Sequence, residues 1–158
     1  MVDRYSLINV GSISDFLLND KNILTPIYNA YPTVELPIID LNLKKISKTL
    51  WGSNSYLSKN KSLAKRLINV EISKIKKSNI LFNQFKYNRC LIPCDGFFFW
   101  KRINQKEKIP YYFSFEKDKL IYCLGIKEKY ENLTGDSFYY FSFITSIPDI
   151  QWRKFTTQ

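Results

Sequence analysis

The sequence predicts an α+β domain built on a curved, mostly antiparallel sheet with short helices at its flanks. Three observations predict it. The last third alternates aromatic and β-branched segments with short polar turns, the pattern of antiparallel strands. Residues 71–88 instead carry apolar side chains at helical spacing. The chain has 158 residues, 45% of them apolar and 16% aromatic, with only five Gly and six Pro. That suits one domain with a single core, spanning 1–158, and leaves no room for long linkers.

In order, RYSLIN (4–9) reads as a first strand. SISDFLLND (12–20) reads as a short helix capped by Ser12 or Ser14. Residues 25–39 carry Pro26, Pro32 and Pro37, which oppose helix and central-strand positions, so an extended loop entering a short strand is expected. LKKISKTLWG (43–52) reads as a strand ending at Gly52, and 55–70 as basic and partly helical. Over 71–88, Ile72, Ile75, Phe82 and Phe85 form a stripe expected to pack on the core. Strands follow in RCLI (89–92), GFFFWKR (96–102), PYYFSFE (110–116), KLIYCLGI (119–126) and SFYYFSFITS (137–146), with EKDK (116–119) as a hairpin loop. Alternation puts Tyr111, Phe113 and Phe115 on one face and Tyr112 and Ser114 on the other. Most of these aromatics are expected in the core.

Twenty-four basic side chains against fourteen acidic ones give a net charge of +10. Such a balance favours an anionic partner, nucleic acid first; the plainer reading is a Lys-rich solvated surface. No run approaches the ~20 apolar residues of a membrane span, and MVDRYSLINV is too short and polar for a signal peptide. Cys90, Cys94 and Cys123 are an odd number, so a reduced, cytoplasmic protein is expected. The chain has no histidine, which removes Ser-His and Cys-His nucleophile pairs and His-containing zinc sites. Cys90 and Cys94 with one further cysteine do not supply four zinc ligands, so no metal and no cofactor is expected. They read as small buried side chains with no neighbour to activate them.

The stretch RCLIPCDGFFFWK (89–101) resembles the Arg-Cys-Leu-x-Pro-Ala-Asp-Gly-Phe-Tyr-Glu-Trp-Lys motif of the SOS-response-associated peptidase (SRAP) family of abasic-site-processing proteins. Arg89, Cys90, Leu91, Pro93, Asp95, Gly96, Phe97, Trp100 and Lys101 match it. Weaker echoes run in order along the chain: MVDRY at the start, YNAYPTVELPII, the pair Trp51-Gly52, LINVEIS, and SFITSIPDIQWRKF at the end. The resemblance implies an SRAP-like pseudo-barrel that stops several tens of residues short of a complete family domain. It also implies a chemistry. In that family, removal of the initiator Met exposes a Cys whose amine condenses with the aldehyde of an abasic site in single-stranded DNA. The adjacent thiol then closes a thiazolidine, an intramolecular step with a large proximity advantage. An Asn holds the sugar, an Arg holds phosphate, and a Glu and a His move protons.

Carried over position by position, Val2 stands where the Cys belongs, and Asn69 keeps the Asn. Glu71 replaces the phosphate-binding Arg, Phe99 the Glu and Gln151 the His. Arg4 and Arg153 keep basic positions, and Trp51 keeps the Trp of the Trp-Gly pair as a stacking candidate. The resemblance therefore implies a pseudoenzyme that binds single-stranded nucleic acid without cross-linking it, through Arg4, Trp51, Asn69 and Arg153. Two alternatives stand beside it. A free N-terminal amine would form a reversible imine with abasic DNA. Or the fold serves a protein partner, with FFFW as a contact patch against the plainer reading of core filling. A decayed or truncated gene product is a further reading, against which the strand pattern intact to residue 145 weighs. A monomer is expected.

Overall fold

The computed structural model describes residues 2–13, 24–52, 68–115, 119–131 and 135–147. Residues 14–20 of the expected helix at 12–20, the basic segment 55–67, most of the EKDK loop, Gln151 and Arg153 lie outside the described residues. Among the described residues, ten strands build two sheets. The first is four-stranded and antiparallel, in the order β2 (Ile27–Ala30), β1 (Arg4–Leu7), β7 (Gly96–Arg102), β8 (Lys108–Ser114). The second runs β4 (Lys45–Trp51), β3 (Glu35–Asp40), β6 (Arg89–Cys94), β9 (Ile121–Glu131), β10 (Ser137–Thr145), β5 (Asn69–Glu71). Tyr140 and Phe141 of β10 also pair in parallel with Leu50 and Trp51 of β4, which closes five strands into a mixed barrel. Closure removes the free edges that an open sheet would present. The curved sheet with flanking helices is therefore present, as the strand pattern predicts.

The loop-to-strand segment at 25–39 makes two strands rather than one. Pro32 sits in a turn between them, where its fixed backbone costs nothing. Residues 71–88 make two helices, α1 (Ile72–Lys77) and α2 (Asn79–Tyr87). Ser78 breaks them apart with extended backbone (φ −120°, ψ 116°), and its side chain accepts the Leu81 amide as the cap of α2. The break resets the helical phase, so the expected stripe is not one core face. Ile75, Leu81 and Phe85 pack on Val70 and Ile126, whereas Ile72 and Phe82 are exposed. No described helix is long and apolar enough to cross a membrane.

The core sits where the two sheets meet. Tyr5 of β1 makes edge contacts with Trp51 and Phe143, each at 5.4 Å between ring centres, and Trp51 stacks on Phe141. All four rings are buried. Burying rings of this size dominates a core energetically, at about 25 cal/mol per Å² removed from water. The aromatics of β8 are a correction to the expected core. Tyr111, Tyr112 and Phe115 are exposed, because β8 is an edge strand. In FFFW all four side chains are half-buried, and Phe97 packs against the core and contacts Phe143.

The motif Cys94-Asp95-Gly96 is the corner where the chain leaves the barrel for the outer sheet. Only Asp95 separates β6 from β7. Its carboxylate accepts Ser6 Oγ at 2.5 Å on one oxygen, and the amides of Ile8 and Asn9 at 2.5 and 2.9 Å on the other. Its amide donates to the Ser6 carbonyl. The corner therefore fixes β1, and with it the direction of the N-terminal segment. Gly96 is needed beside it: a Cβ there would lie 2.3 Å from the Tyr112 hydroxyl, which itself bonds Ser6 Oγ at 2.8 Å.

Candidate functional site

The residues that sequence reasoning grouped at one site come from β1, β4, β5 and β7, and among the described residues the fold joins Val2 to Asn69. Asn69 opens β5, held in register opposite Phe143 of β10. Its side chain clamps residue 2 from both sides. The Val2 amide donates to Asn69 Oδ1 at 3.2 Å, and Asn69 Nδ2 donates to the Val2 carbonyl at 2.8 Å. The side-chain amide thus acts as a one-residue strand neighbour for the N-terminal segment. Val2 itself is partly buried and packs its isopropyl group on the core.

Glu71 lies two residues beyond Asn69 in the same strand, so alternation brings it to the same face. Its carboxylate accepts a hydrogen bond from Ser73 Oγ. This places a negative charge, already engaged, on the side of the strand that carries the Asn69 clamp. Phe99 belongs to β7 opposite Tyr111, and its ring meets Phe113 edge-on at 5.5 Å. The Phe99 side chain itself offers no proton-transfer group there.

Arg4 forms no ion pair among the described residues. Its guanidinium lies 5.5 Å from the centre of the Tyr31 ring and 5.9 Å from that of Trp100, and Nη1 donates to Asn29 Oδ1 at 3.0 Å. The two aromatic faces and one amide hold it in place, half-buried. Tyr31 and Asn29 are not singled out by the sequence, and Trp100 only as a motif match and part of FFFW. The available signal was alternation in β7, which puts Phe98 and Trp100 on the face opposite Phe97 and Phe99. Phe98 carries the same face onward, against Tyr112 at 4.8 Å. A ribbon of half-exposed rings with an embedded arginine is chemically able to stack bases and to pair phosphate.

Trp51, expected as a stacking platform, is instead completely buried. Its Nε1 donates to the Ile68 carbonyl at 3.1 Å and its rings are enclosed by Tyr5, Phe141 and Phe143. Gly52 follows with φ +70°, a conformation favouring glycine, and its amide bonds the Phe141 carbonyl. The Trp-Gly pair is thus a core plug and a turn, because the barrel closes at this point and buries the indole.

The cysteines lie buried or half-buried on the inner side of β6 and β9. Burial pushes the Cys90 thiol up to about 12. Cys94 does have a perturbing neighbour, Cys123, with the sulfurs 3.6 Å apart. The hydrogen bond to Cys123, together with burial, raises the Cys94 thiol, so Cys94 stays protonated. A buried carboxylate and a half-buried ammonium sit further along the barrel. Asp40 accepts Lys127 Nζ and the amides of Asn42 and Leu43. Burial works against its charge, but Lys127 and the two amides outweigh that and hold the carboxyl below the ordinary range.

Comparison with known proteins gives a consistent result. The sequence model of the SOS response associated peptidase (SRAP) family matches residues 5–155. The chain is 28% identical over 125 residues to the abasic site processing protein YobE of Bacillus subtilis, covering 78% of this chain and 57% of YobE. It is 28% identical over 131 residues to the abasic site processing protein YoaM of the same organism, covering 82% and 58%. The chain thus spans less than three-fifths of the length of these relatives. Among solved structures, a Bacteroides thetaiotaomicron protein superposes with a TM-score of 0.68 at 20% identity, over 90% of this chain and 64% of that one. A phage-related protein of Bordetella bronchiseptica does so with a TM-score of 0.67 at 18% identity, over 91% and 68%. At these identities the two structures speak for the fold alone.

Proposed function

Because the chain belongs to the SOS response associated peptidase family, we propose that it binds single-stranded DNA non-covalently at the Val2–Asn69 corner and does not cross-link abasic sites. The clamp of Asn69 on residue 2 carries this reading. It supports a retained recognition corner with an aliphatic group where the chemistry would need sulfur. Without a thiol beside the terminal nitrogen, an imine with an abasic aldehyde has nothing to trap it, and water reverses it.

Three further features support the same reading. Arg4 in its Tyr31–Trp100 cradle supplies a phosphate contact beside stacking surface. The net charge of +10 draws in a polyanion. Phe99 and the engaged Glu71 remove the proton-transfer and phosphate-holding groups that the family resemblance assigns to those positions.

The test compares intact single-stranded, abasic single-stranded and duplex oligonucleotides in a gel-shift series, each followed by heating in denaturant. Salt-sensitive binding to both single strands and no heat-stable band is the expected result. A heat-stable adduct on abasic DNA, or equal preference for duplex, would overturn it. Borohydride treatment separately detects an imine through a free N-terminal amine.

A further inference from the structure

We infer that Cys94 and Cys123 are a peroxide-oxidisable dithiol that closes into an intrachain disulfide where β6 ends. Their sulfurs lie 3.6 Å apart. Cys123 of β9 pairs across the ladder with Ile92 of β6, and Cys90 and Cys94 stand two residues to either side of Ile92. Alternation therefore puts all three thiols on one face of the barrel wall. The register alone would let Cys123 meet either neighbour. The Cys94 sulfur is the one that reaches it, and Cys90 makes no such sulfur contact among the described residues.

The position suits closure. A disulfide holds its sulfurs about 2 Å apart, so this pair must approach by roughly 1.5 Å. Cys94 is the last residue of β6, and Cys123 is the third of β9. The register of β6 with β3 covers only Cys90 and Leu91, so the Cys94 end is laddered on the β9 side alone. Asp95 holds the corner beside Cys94, and the movement falls on the opening residues of β9. The bond would then tie the start of β9 to the corner that fixes β1.

Cys123 is the attacking sulfur. It is half-buried, whereas Cys90 and Cys94 are fully buried. The hydrogen bond with Cys94 holds the Cys123 thiol below its ordinary value, against the effect of burial. Its thiolate attacks hydrogen peroxide and breaks the O–O bond, giving a sulfenic acid and a hydroxide that takes up a proton to become water. The Cys94 sulfur then attacks the sulfenic sulfur. The S–S bond forms, the S–O bond breaks, and the released hydroxide leaves with the Cys94 proton as a second water. The two thiols together lose two electrons and two protons, and the peroxide is reduced to water.

The experiment treats the full chain with hydrogen peroxide at neutral pH, quenches it, and titrates free thiols in denaturant, with a non-reducing gel alongside. The native protein should lose the Cys94 and Cys123 thiols, keep that of Cys90, run as a monomer, and recover both thiols in dithiothreitol. Cys90→Ala should respond as the native protein does. Cys123→Ser should keep its thiols at the same dose. Cys94→Ala, which installs the residue the family motif carries there, should leave a Cys123 sulfenic acid that dimedone traps. A bond that fits the native geometry also raises the urea midpoint, so the oxidised native protein should unfold at higher urea than the reduced one, and peroxide-treated Cys94→Ala should show no such rise. The thiol count and urea midpoint of the native protein decide the matter even where a variant fails to fold. Retention of all three thiols, loss of the Cys90 thiol in place of either partner, interchain dimers, or an unchanged or lower midpoint overturns the inference.

Discussion

Asp95 shows how much one side chain in the motif decides. It accepts Ser6 Oγ and two backbone amides, and these tie β1 to the corner between the sheets. Replacing it by Ala strands those donors. We expect Asp95→Ala to lower unfolding stability by about 3 kcal/mol in urea titration, with Asp95→Asn losing less. Tyr5 points the other way. Its hydroxyl is buried without a hydrogen-bond partner, so Tyr5→Phe should raise stability by about 1 kcal/mol, seen as a higher urea midpoint at unchanged slope. At residue 2 the expectation is chemical. Val2→Cys, once Met1 is removed, should yield a slowly formed heat-stable adduct on abasic single-stranded DNA where the native protein yields none. The identities of Val2, Asn69 and Asp95 were legible in the sequence through the family motif. The fate of Trp51 was not, because the motif gives a position in the chain and burial depends on which strands close over it.

Helices α1 and α2 and the barrel strands raise questions of a different size. The Ser78 break splits one apolar stripe into an inner and an outer part. Ser78→Ala removes the cap on α2 and should cost about 1 kcal/mol. Periodicity revealed helix over 71–88 but not the break, since a polar residue at 78 fits a continuous helix as well as a cap. Between β3 and β9, the Asp40–Lys127 pair makes stability depend on pH. The carboxyl titrates lower in the folded protein than in the unfolded chain, so its contribution is present above about pH 4 and is lost as pH falls through the folded value. The stability difference between the native protein and Asp40→Asn should be about 1–2 kcal/mol at neutral pH and should shrink below pH ~4. Nothing in the sequence pairs Asp40 with Lys127, which lie 87 positions apart.

For the whole molecule, the decisive measurement is the salt dependence of single-strand binding. With roughly three phosphates neutralised, affinity should fall about tenfold or more between ~50 and ~200 mM salt, and a flat response would contradict a basic groove. Composition determined this electrostatic character, because net charge is a sum and needs no coordinates. Local pattern determined the strands of the last third and the Asp-Gly corner, because alternation and turn chemistry act between near neighbours. The tertiary structure decided which rings are core and which are surface. Phe97 and Phe99 share a face of β7 and are both half-buried, yet Phe97 reaches Phe143 while Phe99 meets its sheet neighbour Phe113. It also decided that Asn69 meets Val2 across 67 positions and that Arg4 rests between Tyr31 and Trp100. Such meetings depend on strand order and barrel closure, which long-range packing sets and no short stretch of sequence contains.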